Sequence, residues 1–240
     1  QKTAYDIMPS RVGSERCIRD RGKLLKEELL ALGLEDVELD EHGYVYATIW
    51  ASEGYENVQP IGLIAHMDTS PAAPGEDVKP LIREYKGEPL TFPDDPELTL
   101  TEIDSPELKE YIGKKIITAS GLTLLGADDK AGIAEIMGAI ATLIKFPELK
   151  HGKIVVCFTP DEEIGRGTDK IKKERLPEYC YTIDGGEMGE LEIECFDAWK
   201  AEIEFIGLNV HPGYAKNKMI NAIAIATRFL AQMPEYETPE

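Results

Sequence analysis

The chain has 240 residues, 42% of them hydrophobic and 30% charged, a composition that supports a buried core without disulfide staples and excludes a disordered or collagen-like polypeptide. Its 45 acidic against 26 basic side chains give a net charge of -19, which repels a phosphate backbone and argues against nucleic acid as a partner. No apolar run approaches the roughly 20 residues that span a bilayer, the start lacks the apolar core of a signal peptide, and the four cysteines lack paired spacing and read as reduced core thiols, so no membrane partner and a cytoplasmic location are expected.

Between Ser14 and Leu32 the leucines at 24, 25, 29, 30 and 32 recur at helical spacing, and Gly33 supplies a stop. "VELD" and "YVYATIWA", around His42 and Gly43, read as a β-hairpin, and "PIGLIAHMD" as a buried central strand whose carboxyl end opens on a crevice. Residues 70–115, rich in Pro, Gly, Asp and Glu, read as a long surface excursion with few regular elements. A helix over Asp129–Ile144 carries Ile133, Ile136, Met137, Ile140 and Leu143 on one stripe; "KIVVCFTP" follows as a strand, "TDKIKKER" as a helix and "YCYTID" as a buried strand. That order predicts an α/β fold, a mostly parallel mixed sheet with helices packed on its faces. From "ELEIECFDAWKAEIEFIGL" the pattern alternates, which predicts antiparallel pairing, a boundary near Asp197 and the start of a smaller α+β unit with a helix near Asn217–Leu230.

His66 and Asp68 stand two apart at a strand end, so their side chains point the same way. His66 is placed to give one ring nitrogen to a metal while Asp68 fixes the tautomer through the other; the ordinary alternative is a strand-end histidine beside a loop aspartate. Asp128 precedes the second long helix, where a carboxylate either caps free N–H groups or stays ionised and bridges two divalent ions; Asp129 is the better cap. "TPDEEIGRG" sets Asp161, Glu162 and Glu163 after a strand, either as a solvated acidic loop or as neighbours that divide metal binding from proton removal. Asp184 in "TIDGG" is a turn aspartate or a strand-end ligand, His211 in "NVHPG" sits in a loop of the second unit, and His42 and His151 receive no role. Each signal is weak alone. Four of them, however, end successive apolar runs where a parallel sheet gathers its site residues, and one imidazole among carboxylates suits zinc or another divalent ion in an oxygen-rich two-metal site.

In this order, "HMDT", "LLGADDKAG", "TPDEEIGRG", "TIDGG" and "NVHPG" resemble the M20 family of dinuclear-zinc metallopeptidases over about Leu24 to Ala226, and "LLGADDKAGIAEIM" with "GELEIE" resemble its peptidase T branch of tripeptide aminopeptidases. The resemblance implies a zinc-peptidase-like catalytic domain over 1–196, the beginning of a lid or dimerisation-type domain over 197–240, short peptide substrates, a homodimer as candidate assembly, and two Zn2+ per complete site. It implies that His66 and Asp184 bind one zinc, that Glu163 binds the second, and that Asp128 bridges both through a residue joined to Asp129 by a cis peptide. Asp68 would orient His66, Glu162 would be the general base, and His211 would stabilise the oxyanion. Relatives complete the second site with a histidine that follows the lid, and no histidine follows His211 here. The chain is therefore expected to be part of a longer enzyme, the 240 residues alone holding one ion firmly and the other weakly. The alternatives are a related dipeptidase, carboxypeptidase or deacylase, or a catalytically incomplete metal-binding fragment.

Overall fold

The computed structural model describes residues 15–186, 189–194 and 201–234, so the expected boundary near Asp197 lies outside the described residues. The chain divides into two compact units, Gln1–Glu190 and Leu191–Glu240.

In the first unit, α1 (Glu15–Ala31) buries Leu25 and Leu29 completely. It stops where Gly33 turns left-handed, at φ +94°; the Gly33 N–H donates to the Leu30 carbonyl and the Leu34 N–H to the Leu29 carbonyl, which satisfies two of the free end carbonyls. β1 (Val37–Leu39) and β2 (Val45–Ile49) then pair antiparallel across a turn whose Asp40 carboxylate accepts from the His42 and Tyr44 N–H groups. β3 (Ile61–His66) follows. Residues 70–115 hold more regular structure than their composition predicts: β4 (Leu81–Glu84) pairs with β7 (Lys115–Thr118), and β5 (Leu90–Phe92) with β6 (Asp95–Leu100). Tyr85, Leu90 and Leu108 form a satellite core there, with Phe92, Leu100, Tyr111 and Ile116 against it. Apolar residues so widely spaced among prolines and acids leave no period to read; they meet only once the short strands fold over one another.

α2 (Ala127–Lys145), β8 (Ile154–Thr159) and β9 (Tyr179–Thr182) complete the unit. The main sheet runs β1-β2-β8-β3-β9, with β3 parallel to both β8 and β9 and β2 antiparallel to β1 and β8. It is the mixed sheet with flanking helices that the patterning predicts, but the helices share one face. Leu25 and Leu29 of α1 and Ile133, Ile136 and Ile140 of α2 pack with Val45, Ala47, Val156 and Phe158 in a single core, where each fully buried aliphatic or aromatic side chain contributes roughly 1.5–3 kcal/mol.

The other face carries Tyr44, Tyr46 and Cys157, covered by Ile171 and Leu176. "TDKIKKER", predicted as a helix, is instead an irregular strap with one 3-10 turn at Lys173–Arg175. β9 is exposed rather than buried, as is its Cys180, because among the described residues only β3 pairs with it; Cys157 is buried as expected.

Within the second unit, Leu208 and Ile220 form an isolated antiparallel bridge, and α3 (Ala222–Leu230) is capped by the Asn221 side chain, which accepts from the Ile223 and Ala224 N–H groups. The expected pair of strands falls partly on residues 195–200, outside the described residues, and the described part contains no strand beyond that bridge.

Candidate metal centre

The parallel strands end side by side. His66 closes β3 in register with Thr159 of β8, and the Ile183 N–H donates to the Ile64 carbonyl, which carries the β9 alignment on to Asp184. The three chain segments that leave these strand ends hold Asp68, the 161–163 acids and Asp184, as expected at the carboxyl edge of a parallel sheet. α2 brings the fourth contribution. Its first residues, Asp128 and Asp129, lie outside helical geometry and are joined by the cis peptide that the resemblance implies.

Asp129 is the cap of the regular helix: its Oδ1 accepts from the Gly132 N–H at 3.1 Å, and its Oδ2 accepts from the backbone N–H of His66 at 2.9 Å. Burial pushes its carboxyl up to about 7, and those two N–H donors pull the other way. Gly132 makes the docking possible, since a side chain there would collide with the Ile183 carbonyl oxygen.

Asp128 faces away from that anchor, and its Oδ1 lies 2.8 Å from His66 Nε2. Asp184 Oδ2 is 3.8 Å and Glu162 Oε2 is 3.9 Å from the same nitrogen. The opposite ring nitrogen, Nδ1, lies 3.2 Å from Asp68 Oδ1. Burial disfavours the imidazolium, but the Asp68 and Asp128 carboxylates outweigh it and push His66 up to about 9. Burial likewise raises the Asp184 carboxyl, against the attraction of His66 and with the repulsion of Asp128. A crowd of acids around one imidazole is what a divalent cation neutralises. The donor atoms of His66, Asp128 and Asp184 lie within 4.8 Å of one another, the one such group among the described residues, and imidazole nitrogen with carboxylate oxygens suits zinc or a similar divalent ion.

Asp68 does more than face the imidazole. Its two oxygens accept the Glu162 and Glu163 N–H groups at 3.1 and 2.9 Å, tying the acidic loop to the strand that carries His66. These bonds and His66 hold the Asp68 carboxyl below the usual carboxylate range in spite of burial. Glu162 thus sits at the cluster through its carboxylate, and Glu163 is placed beside it through its backbone; the Glu163 side chain is not among the clustered ligand atoms. His211 belongs to the second unit, where its Nδ1 accepts from the Gly213 N–H, which leaves Nε2 as the donor in the neutral ring.

Two residues that belong to the site carry no assignment from sequence. Lys130 Nζ donates to the Asp68 carbonyl at 3.2 Å and to Thr69 Oγ1 at 2.5 Å, bracing the turn after β3, and burial lowers its ammonium to about 8. A signal was present: a lysine in the first turn of a helix opposes the dipole and calls for another partner.

Residues 193–240 match the M20 peptidase dimerisation domain. Peptidase T of a Geobacillus species (strain WCH70) is 52% identical over 220 residues, 91% of this chain and 53% of that protein. Peptidase T of Caldanaerobacter subterraneus is 49% identical over 237 residues, 98% of this chain and 57% of its own length. Among solved structures, aminopeptidase PepT from Bacillus cereus superposes with a TM-score of 0.65 at 26% identity, covering 96% of this chain and 55% of that one. A tripeptidase from Staphylococcus aureus gives 0.63 at 25%, with the same coverages. The chain spans about half the length of the curated relatives it matches. The chain is thus similar over most of its length to proteins named peptidase T, and its last residues match the M20 peptidase dimerisation domain.

Proposed function

We propose that the protein carrying this chain is a cytoplasmic, metal-dependent aminopeptidase that removes the N-terminal residue from tripeptides. The observation that carries the reading is the convergence of His66, Asp128 and Asp184 within 4.8 Å, with Asp68 and Glu162 around the same imidazole. Names of relatives supply the substrate class: the curated ones are called peptidase T, and a structural neighbour is titled a tripeptidase. In this reading residues 1–196 form the catalytic domain, 197–240 begin a lid or dimerisation domain, and the protein assembles as a homodimer, supported by the dimerisation-domain match.

His66, Asp128 and Asp184 hold the metal, and Glu163 completes a second position, so that two Zn2+ occupy the full site. Ions held there polarise a carbonyl and lower the pKa of a water. The protein's own groups do the rest. Asp68 fixes the imidazole through Nδ1, leaving Nε2 to face the ligand carboxylates. Glu162, whose carboxylate lies 3.9 Å from that nitrogen, removes the proton from the attacking water and returns it to the leaving amine. His211 is the donor to the developing oxyanion, a role that a neutral ring with its proton on Nε2 can perform.

Hydrolysis of tripeptides, dipeptides and N-acyl amino acids, measured side by side with and without a chelator, tests the proposal. Tripeptide turnover that chelation abolishes is expected; preference for N-acyl amino acids would overturn the substrate class. A second reading, a site with one firmly bound ion, draws on the cluster of three ligands that excludes the Glu163 side chain. Zinc titration separates the two: one tight ion supports it, and two overturn it.

A further inference from the structure

We propose that Tyr44, seconded by Tyr46, is a positioning residue that sets the Glu162–Glu163 loop from the far side of the sheet. This rests on the role of Glu162 proposed above only for its catalytic consequence. The two rings are buried, point to the helix-free face and lie 6.2 Å apart, 16° from parallel. Their hydroxyls reach the strap that crosses this face. Tyr44 Oη donates to the Gly167 carbonyl at 3.0 Å and accepts from the Lys170 N–H at 3.3 Å, while Tyr46 Oη accepts from the Lys172 N–H at 2.8 Å.

Those bonds are what an irregular strap needs. Apart from the 3-10 turn at Lys173–Arg175, residues 165–176 lack a helix or strand ladder, so their backbone groups must find partners elsewhere, and three of them find phenols. The attachment reaches the acids within a few residues. Gly167 lies so close to Glu162 that a Cβ on the glycine would be 3.2 Å from the Glu162 Cα. The Arg166 N–H donates to the Asp161 carbonyl at 2.9 Å and the Gly165 N–H to the Glu162 carbonyl at 2.7 Å, closing 161–167 into a compact knot. On its site side the knot is held by Asp68, which accepts the Glu162 and Glu163 N–H groups; on its sheet side it is held by Tyr44. Beyond it, Lys172 pairs with Glu38 at 2.5 Å and both Arg175 nitrogens with Asp36 at 3.1 and 3.2 Å, keeping the end of the strap on β1. A general base must be placed to within a fraction of an ångström, and Asp68 alone fixes only the two N–H groups at the loop's start.

The test is Tyr44→Phe in the full-length, zinc-loaded protein, which keeps the ring and deletes the oxygen. Amide exchange over residues 162–172 is expected to quicken about tenfold relative to β8, as two lost hydrogen bonds imply. With it, kcat on a tripeptide falls about tenfold while KM stays within about twofold, the split expected when positioning rather than binding is lost. Unchanged exchange overturns the clamp, and quickened exchange with undiminished kcat overturns the positioning role. If the unsubstituted protein hydrolyses no peptide, the aminopeptidase reading fails, and exchange alone decides whether the phenols hold the loop. Should Tyr44→Phe not fold, Tyr46→Phe, which removes the Lys172 tie, is put through the same measurements with the same outcomes.

Discussion

Asp129 is 2% exposed and uses both oxygens on backbone N–H groups, whereas the side chain of Asp128, one residue earlier, is 69% exposed and faces the His66 imidazole. Their substitutions should therefore fail in opposite ways. Asp128→Ala is expected to lose bound metal while the stability of the metal-free protein changes by no more than about 0.5 kcal/mol, the usual range for an exposed position; zinc stoichiometry beside urea melts checks both halves. Asp129→Ala removes a helix cap and strands a buried N–H, so it should cost about 2–4 kcal/mol in the metal-free protein. A variant as stable as the parent would show that neither bond matters. Both aspartates are legible in the sequence as a pair at a helix mouth, and the assignment of the inner one as cap matches its geometry. The first-turn position of Lys130 signals that it needs a partner, but the partners themselves, the Asp68 carbonyl and the Thr69 hydroxyl, lie 62 and 61 positions away and leave no periodic trace.

At the scale of elements, α2 meets the sheet through Gly132. Gly132→Ala would drive a methyl group into the Ile183 carbonyl, and since the obstacle is backbone rather than a flexible side chain, a loss of about 3 kcal/mol, the upper end of overpacking costs, is expected in denaturant unfolding. The strap on the opposite face depends instead on polar ties. The Thr48 hydroxyl, against the opposing effect of burial, and the Arg175 guanidinium together hold the Asp36 carboxyl below the usual carboxylate range. A carboxyl lowered in the folded state contributes stability above its unfolded pKa of about 3.9 and loses it as pH falls through the folded value. Asp36→Asn should therefore be the less stable protein at pH 6, by a difference that shrinks as pH falls below about 4, measured by thermal unfolding across that range. The missed strap has its own explanation, distinct from the absent periodicity that hid the short strands of the 80–118 excursion. "TDKIKKER" has helix-forming residues, but its backbone groups bond to tyrosines 126 positions away, and tertiary partners override local propensity.

For the molecule as a whole, the proposed metal would tie stability to function. An ion bound by the folded chain and not by the unfolded one stabilises it by about 2.7 kcal/mol at one hundred times its dissociation constant. Chelation should lower the melting temperature of the full-length protein and zinc should restore it; a melting curve indifferent to zinc would remove the ion from the fold's energetics. The match of residues 193–240 to a dimerisation domain supports the homodimer proposed above, and sedimentation of the full-length protein at the mass of two copies is the expected outcome. By itself the sequence determined the order along the chain of the strands and helices that build the main sheet, and the acids and imidazole that follow its strand ends, because strand ends and helix caps are written in runs of neighbouring residues. Only the tertiary structure decided that both helices share one face, that β9 lies exposed at an edge, and that Lys130 and the paired tyrosines brace the site. Those outcomes depend on contacts between residues far apart in the chain, chosen by which buried groups still needed a hydrogen-bond partner once the sheet had closed.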